Sequence, residues 1–235
     1  MRLLLWNCQG LGNPWTVRSL RKLVRDQAPT VCFLMETRLD REGFDKKFGD
    51  LPFQNKVIVK KPNSGGGLAL LWKTQVQLDI INYTENFILA KVVEENGFTW
   101  TLTCCYGWLE TSQKHKTWAM LSHLSSLVQG PWCCIGDFNA ILHSSEKQSR
   151  FPPPFKQMDE FRMTLESCNL VDLGFIGYKY TWNNKRPGAA NTRQRLDRAM
   201  ANAGWRGEFP ASTVTHLFSH ASDHRPLMLQ IKKDW

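Results

Sequence analysis

Polar residues suited to hydrolysis stand at the ends of apolar runs in this sequence. Asn7 closes the run from Leu3, Glu36 the run from Val31, and Tyr106 the run from Phe98. Asp137 and Asn139 follow Trp132-Cys-Cys-Ile135 within Gly136-Asp-Phe-Asn139. Asp197 lies in Arg195-Leu-Asp-Arg198, and Asp223-His224 follows Ser222 just before the last apolar run. Singly these are ordinary features: an Asp-Phe-Asn turn caps its own backbone, and Ser-Asp-His alone reads as a loop. Together they are a set able to hydrolyse a phosphoester. A hard cation such as Mg²⁺ takes oxygen ligands and keeps several waters while touching one or two carboxylates. An attacking water needs a base, and a pentacovalent phosphorus needs donors on its non-bridging oxygens. Glu, Asp, Asn, Tyr and an Asp-supported His supply these roles.

For those residues to meet, strand ends must converge on one rim of a sheet. Strand-like runs recur at 3–7, 31–36, 56–59, 68–72, 76–80, 88–93, 98–106, 132–135, 178–182, 213–218 and 227–231. Helical periodicity falls between some of them. Val17, Leu20 and Val24 are spaced i, i+3, i+7, with Arg18, Arg21, Lys22 and Arg25 on the other side. Further helices are predicted near 116–128 and 155–168. Strands outnumber helices, and the helices separate groups of strands. That order predicts an α/β fold of two packed sheets flanked by helices rather than one doubly wound sheet. No repeat, low-complexity tract or long linker divides the chain, so a single domain over 1–235 is expected. Gly65-Gly66-Gly67, after Pro62-Asn63-Ser64, lacks the Gly-Lys-Ser/Thr ending of a phosphate loop and leads into a strand-like run. It reads as a glycine turn.

Thirty basic residues against 21 acidic leave a net charge of +9, which favours a polyanionic partner such as nucleic acid. Two basic regions are candidates to track a nucleic-acid backbone: the polar face of the first helix, and the group Lys185, Arg186, Arg193, Arg195 and Arg198. If Thr181 and Asp197 both face the site, residues 183–194 form a hairpin tip at its mouth. The apolar runs are too short to span a membrane, and the opening six residues are too short for an export signal. Seven cysteines, none at the spacing of a zinc or redox pair, predict a reduced intracellular protein without structural metal or disulfide. The neighbouring pairs Cys104-Cys105 and Cys133-Cys134 lie in apolar runs, where thiols pack as small hydrophobes.

Six motifs in order carry a resemblance: Trp6-Asn-Cys-Gln-Gly10, Met35-Glu-Thr37, Tyr106-Gly107, Gly136-Asp-Phe-Asn139, Arg195-Leu-Asp-Arg198 and Ser222-Asp-His224. They resemble the endonuclease/exonuclease/phosphatase superfamily, and their wording is most similar to the endonuclease domain of plant LINE retrotransposons. The resemblance implies a DNase I-like, four-layer α/β/β/α sandwich of two mixed sheets. It implies Mg²⁺ as cofactor, with Mn²⁺ able to replace it, and DNA as the partner. Glu36 would then be the principal metal ligand, with Asn7 holding the metal or its water and Asp223 helping to place it. Asp137 would orient or deprotonate the water, and Asn139 would fix that carboxylate and a phosphate oxygen. Tyr106 would donate to the scissile phosphate. His224, kept in its tautomer by Asp197, would stabilise the developing charge. Thr181 matches a threonine that contacts DNA phosphate in LINE endonucleases, and Gln9 departs from the Arg frequent in plant elements.

The activity so implied is nicking of DNA to leave a 3′-hydroxyl that primes reverse transcription, by a monomer in the nucleus. The reverse transcriptase of a parent element is not among these 235 residues. Two alternatives stay open. One is a phosphatase of small phosphoesters, although the 5-phosphatase signature Pro-Ala-Trp-Cys-Asp-Arg is replaced here by Thr192-Arg-Gln-Arg-Leu-Asp-Arg198. The other is a domesticated or non-catalytic nucleic-acid-binding module, which would have no need of Glu36, Asp137, Asp197 and His224 together.

Overall fold

In a computed structural model, which describes residues 1–61 and 66–233, side-chain alternation along the strands sorts the chain into layers. Leu3 and Leu5 of strand Arg2–Asn7 turn to one side with Val31, Phe33 and Met35. Leu4 and Trp6 turn to the other with Cys32 and Leu34. This strand pairs in parallel with Val31–Met35, the connection being helix Pro14–Gln27, whose start is set by Asn13 accepting from the Trp15 N–H and by Pro14 in the first turn. A second parallel pair, Thr99–Tyr106 beside Trp132–Asp137, is linked through helix Lys114–Leu127. The remaining central pairings are antiparallel, so both sheets are mixed.

Among the described residues the first sheet runs Ile176–Gly177, Thr213–His216, Leu227–Gln230, Arg2–Asn7, Val31–Met35, Leu68–Trp72, Asn55–Val59. The second runs Val171–Asp172, Asp197–Ala201, Trp132–Asp137, Thr99–Tyr106, Phe87–Val93, Gln77–Tyr83. Their facing sides share one core, in which Leu3, Phe33 and Leu229 meet Leu102, Cys104, Cys133, Ile135 and Ala199. The outer face of the first sheet is covered by Leu20, Val24, Phe44 and Phe48 of helices Pro14–Gln27 and Arg41–Phe48. The outer face of the second is covered by Trp118, Leu121, Phe161 and Leu165 of helices Lys114–Leu127 and Phe155–Ser167. The order is therefore helix, sheet, sheet, helix, as expected from the alternation of strand and helix runs.

The cysteines show how close that reading comes to the packing. All seven are buried and free. Cys104 and Cys133 sit between the sheets, and their neighbours Cys105 and Cys134 lie under the outer helices. The predicted strand 178–182 is different: only Trp182–Asn183 pairs, in a three-stranded ribbon with Arg193–Gln194 and Lys147–Gln148. That ribbon makes residues 184–192 a hairpin tip. Residues 62–65 of the glycine turn lie outside the described residues, while Leu68–Trp72 behind it is the expected strand. The basic face of the first helix is solvated: Arg21 pairs with Asp50, and Lys22 and Arg25 with Asp26. No helix among the described residues is long and apolar enough to cross a membrane.

Candidate active site

The two sheets end at a common rim, and the polar strand ends meet there. Asn7 is the last residue of its strand, paired in register with Met35, so Glu36 emerges beside it. From Asn7, Nδ2 donates to Glu36 Oε1 and to Asp137 Oδ2, both at 3.0 Å. Tyr106 OH donates to the same Glu36 oxygen at 2.9 Å, and Arg38 NH2 lies 3.6 Å from Oε2. Burial, followed by the charges of Glu36 and Asp137, pushes the Tyr106 phenol well above its usual range, so it acts as a neutral donor.

Asp137 ends the central strand of the second sheet, with Tyr106 opposite on one neighbour and Asp197 on the other. Gly136 allows this: a Cβ there would stand 2.0 Å from the Cys105 carbonyl oxygen. Asp137 Oδ1 accepts from the Asn139 N–H at 2.9 Å, and Asn139 itself takes φ 51°. Glu36 has φ 53°. Such left-handed backbone costs about 1–3 kcal/mol per non-glycine residue and is held only where surrounding contacts impose it. Burial and the neighbouring Asp197 raise Asp137 to about 6, against the opposing pull of His224.

His224 completes the rim. Its Nδ1 lies 2.8 Å from Asp197 Oδ2, and its Nε2 is 3.7 Å from Asp137 Oδ2 and 3.9 Å from Asp223 Oδ1. Its backbone is fixed from three sides: the N–H donates to Ser222 Oγ, Ser222 donates to the Asn7 carbonyl, and Trp6 Nε1 donates to the His224 carbonyl. Burial works against a charged ring, but Asp197 and then Asp137 outweigh it and raise the imidazole to about 10. Asp197 carries its proton-bearing Nδ1, leaving Nε2 turned toward Asp137.

Several sequence-derived assignments meet a different geometry. Arg195 was expected to bind DNA, and Arg198 was grouped with it, but both are buried. They form a closed network with Glu146 and Asp172, each arginine within 2.8 or 2.9 Å of both carboxylates. Two guanidiniums and two carboxylates balance inside the fold, so Arg195 is not available to a phosphate. Thr181 is also buried, and its hydroxyl accepts the N–H groups of Leu196 and Asp197 at 2.9 and 3.0 Å. It shapes the bend that delivers Asp197. Asn7 presents its amide nitrogen, not its oxygen, to the two carboxylates, and its Oδ1 accepts from the Gln9 N–H at 3.3 Å. It ties Glu36 to Asp137 as a donor. Asn139 uses its backbone for Asp137 and spends its side-chain amide on the Gly107 carbonyl at 2.8 Å. Lys185 and Arg186 lie exposed on the hairpin tip and Arg193 on its half-buried stem.

A cleft of about 600 Å³ opens over this rim, bordered by Glu36, Arg38, Lys114, Asn139, Asp223 and His224. Lys114 carries no motif. It heads the stripe Thr117, Leu121, Leu124 on the buried face of its helix, and its ammonium bonds the Asn139 carbonyl. Burial lowers it to about 8, with Asp137 pulling the other way. A lysine in register with an apolar stripe was the one available signal. The carboxylates suit a divalent ion unequally. Asp137, Asp197 and His224 offer atoms within 4.8 Å of one another, but they are buried and already engaged, Asp197 with His224 and Asp137 with Asn7 and Asn139. The side chains of Glu36 and Asp223 are 17% and 16% exposed at the cleft. A hard cation that keeps most of its waters fits those two.

This arrangement has counterparts. A model of the endonuclease/exonuclease/phosphatase family matches residues 4–224. The chain belongs to that family. Among curated proteins no sequence matches at a significant level, but solved structures share the fold. The 3′–5′ exonuclease NExo of Neisseria meningitidis superposes with a TM-score of 0.76 at 17% identity, over 99% of this chain and 100% of that one. The endonuclease domain of TRAS1, a telomere-specific non-LTR retrotransposon, gives 0.72 at 14% identity, over 99% and 98%. The apurinic (AP) endonuclease LMAP of Leishmania major gives 0.74 at 14%, over 99% and 88%.

Proposed function

We propose that this protein is a divalent-metal-dependent DNA endonuclease of the LINE kind, which cuts one strand and leaves a 3′-hydroxyl. The observation that carries the reading is the position of Asp137. It is held by Asn7 and Asn139, stands 3.7 Å from His224 Nε2, and lies one hydrogen-bonded residue away from Glu36. Asp137 is the base: ionised above about pH 6, it takes a proton from water as the water oxygen bonds to phosphorus. His224, protonated and backed by Asp197, donates from Nε2 to a non-bridging oxygen. The Lys114 ammonium is a further donor bordering the cleft, and Tyr106 OH, which donates to Glu36 in the free protein, would turn to the phosphate. The P–O3′ bond breaks, O3′ takes a proton from a solvent water in the open cleft and leaves as the hydroxyl, and the proton held by Asp137 is returned to solvent. Glu36 and Asp223 would hold a Mg²⁺ ion, which would supply charge neutralisation at the phosphate; Mn²⁺ would suit the same ligands.

DNA as substrate is supported by the net charge of +9 and by the exposed Lys185 and Arg186 on the hairpin tip whose stem residues Trp182 and Gln194 border the cleft. The likeness to the TRAS1 domain across 98% of its length supports the retrotransposon reading. The motif wording near Asn7 and Glu36 supports the plant LINE type, acting in the nucleus. The test is relaxation of supercoiled plasmid, with Mg²⁺ or EDTA, by the wild type and Asp137→Ala. Relaxation that needs both the metal and Asp137, with product ends extendable by a polymerase, is expected. No relaxation by the wild type, with DNA still bound at low salt, would overturn the reading in favour of a binding module. Hydrolysis of small phosphomonoesters in place of plasmid would favour a phosphatase.

A further inference from the structure

On the far side of Trp182 and Asp223 from the cleft lies a smaller pocket of about 320 Å³ that also reaches His224. Two arginines enter it and share one tyrosine. Arg193 NH1 donates to Tyr178 OH at 2.9 Å, while the Arg225 guanidinium lies over the Tyr178 ring, 4.4 Å from its centroid. The other ring beside Arg225 is Phe218, at 5.2 Å. Neither arginine forms an ion pair among the described residues, although the Arg195 and Arg198 network shows how this fold neutralises guanidiniums that have no external partner. The one carboxylate bordering the pocket, Asp223, is turned to Trp182 Nε1 at 2.8 Å. The Nε of Arg193 is buried without a hydrogen-bond partner. Phe218, 58% exposed, and Tyr178, 41% exposed, offer ring faces beside these cations.

We infer that this pocket binds the nucleotide flanking the scissile phosphate: Arg225 and Arg193 take its phosphodiester, and Phe218 with Tyr178 stacks its unpaired base. The geometry ties the subsite to the chemistry. Arg225 follows His224 directly, and its backbone N–H donates to the Thr181 carbonyl at 2.7 Å, so one short loop carries both the reacting imidazole and the flanking cation. A phosphodiester supplies the missing anion, and aromatic faces interleaved with arginines are the means by which proteins hold splayed-out bases without reading their edges. The subsite therefore favours DNA that is locally unpaired next to the cut.

The inference rests on the endonuclease reading, but its test does not. Binding of fluorescein-labelled DNA is measured by anisotropy in EDTA, where no cutting occurs, for a fully paired duplex and for the same duplex with a short unpaired tract. Arg225→Gln should lower the slope of log affinity against log salt by about 1, while Arg225→Lys keeps the wild-type slope. Phe218→Ala should weaken binding of the unpaired tract by about fivefold to a hundredfold and leave the paired duplex within about twofold. An unchanged slope in Arg225→Gln, or an equal loss on both DNAs in Phe218→Ala, would overturn the subsite. Because plasmid relaxation is scored separately, failure of the subsite and failure of the endonuclease reading are told apart.

Discussion

Replacing Glu146 by Gln tests whether the floor beneath the site is held by charge. Glu146 accepts from Arg195 at 2.9 Å and from Arg198 at 2.9 and 3.3 Å, and its Oε2 also receives the Leu142 N–H at 2.6 Å. Burial alone would raise its carboxyl, but Arg198 and then Arg195 hold it below the ordinary range. Gln preserves the shape and an acceptor for Leu142, but its NH2 replaces the Oε1 that accepts from Arg195 and Arg198, so the charge and those acceptances are lost together. The change leaves two guanidiniums against Asp172 alone, with Arg198 fully buried. Breaking a buried pair from one side costs about 3–5 kcal/mol. Asp172 still bonds both arginines and is 18% exposed, so water relieves part of the imbalance and the lower end applies. At roughly 2–4 °C per kcal/mol for a chain of this size, Tm should fall by about 6–12 °C in a calorimetric scan. Adding Arg195→Met, which removes the surplus cation, should recover about half of that. A drop of less than about 2 °C in the single variant would show that the network is indifferent to its charge.

Other outcomes follow from the rim itself. Asp137→Ala and His224→Gln should each slow plasmid nicking by roughly 10²–10⁴-fold, the second with a lowered Tm because buried Asp197 loses its cation; a wild-type rate in either removes that residue from the mechanism. Glu36→Gln should shift the Mg²⁺ titration of nicking to higher concentration, and an unmoved titration would refute its role as ligand. The nicking rate should rise with pH through about 6 as Asp137 ionises, decline partly near 8 as Lys114 loses its charge, and fall near 10 as His224 loses its proton. Stability follows the sign of the His224 shift. Its folded value lies above the ordinary 6.5, so its contribution is full below about pH 6.5 and is lost as pH rises through about 10. His224→Gln should flatten that decline in thermal scans across the same window.

What was legible in the sequence depended on whether a residue's partners are local. Strand ends were legible because alternation is local: Asn7, Glu36 and Asp137 stand within one or two residues of the predicted boundaries. Arg195 and Arg198 were misread because a charged residue announces exposure unless its partners are known. Those partners, Glu146 and Asp172, lie in distant segments. The same pairing hid strand Asp197–Ala201, all five residues of which are buried, behind two charges. Helix Arg41–Phe48 was missed because Phe44 and Phe48 are its only buried residues. Lys114 and Arg225 went unnoticed for a related reason. One looks like a surface residue at a helix start, the other like loop charge, and only the third dimension shows that one caps the Asn139 carbonyl and the other lies between two rings.

The site's dependence on two sheets has a mechanical consequence. Asn7 belongs to the first sheet and Asp137 to the second, yet one amide nitrogen reaches across to both Asp137 and Glu36 at 3.0 Å. His224, beside the first sheet's last strand, meets Asp197 of the second. A slide of one sheet over the other by an ångström would carry these bonds beyond about 3.5 Å, where they cease to be hydrogen bonds. The core of Leu3, Phe33, Leu102 and Ile135 is what prevents the slide, since close-packed interiors resist shear. Ile135→Ala, two residues before Asp137 and fully within that core, should therefore lower activity beyond the loss of folded protein. Stability in such cavity variants typically falls by about 2–5 kcal/mol. Nicking per folded molecule, measured well below the lowered Tm, is the decisive quantity. If it stays at the wild-type value, the rim keeps its geometry without the core beneath it, and the catalytic residues are held by their own hydrogen bonds alone.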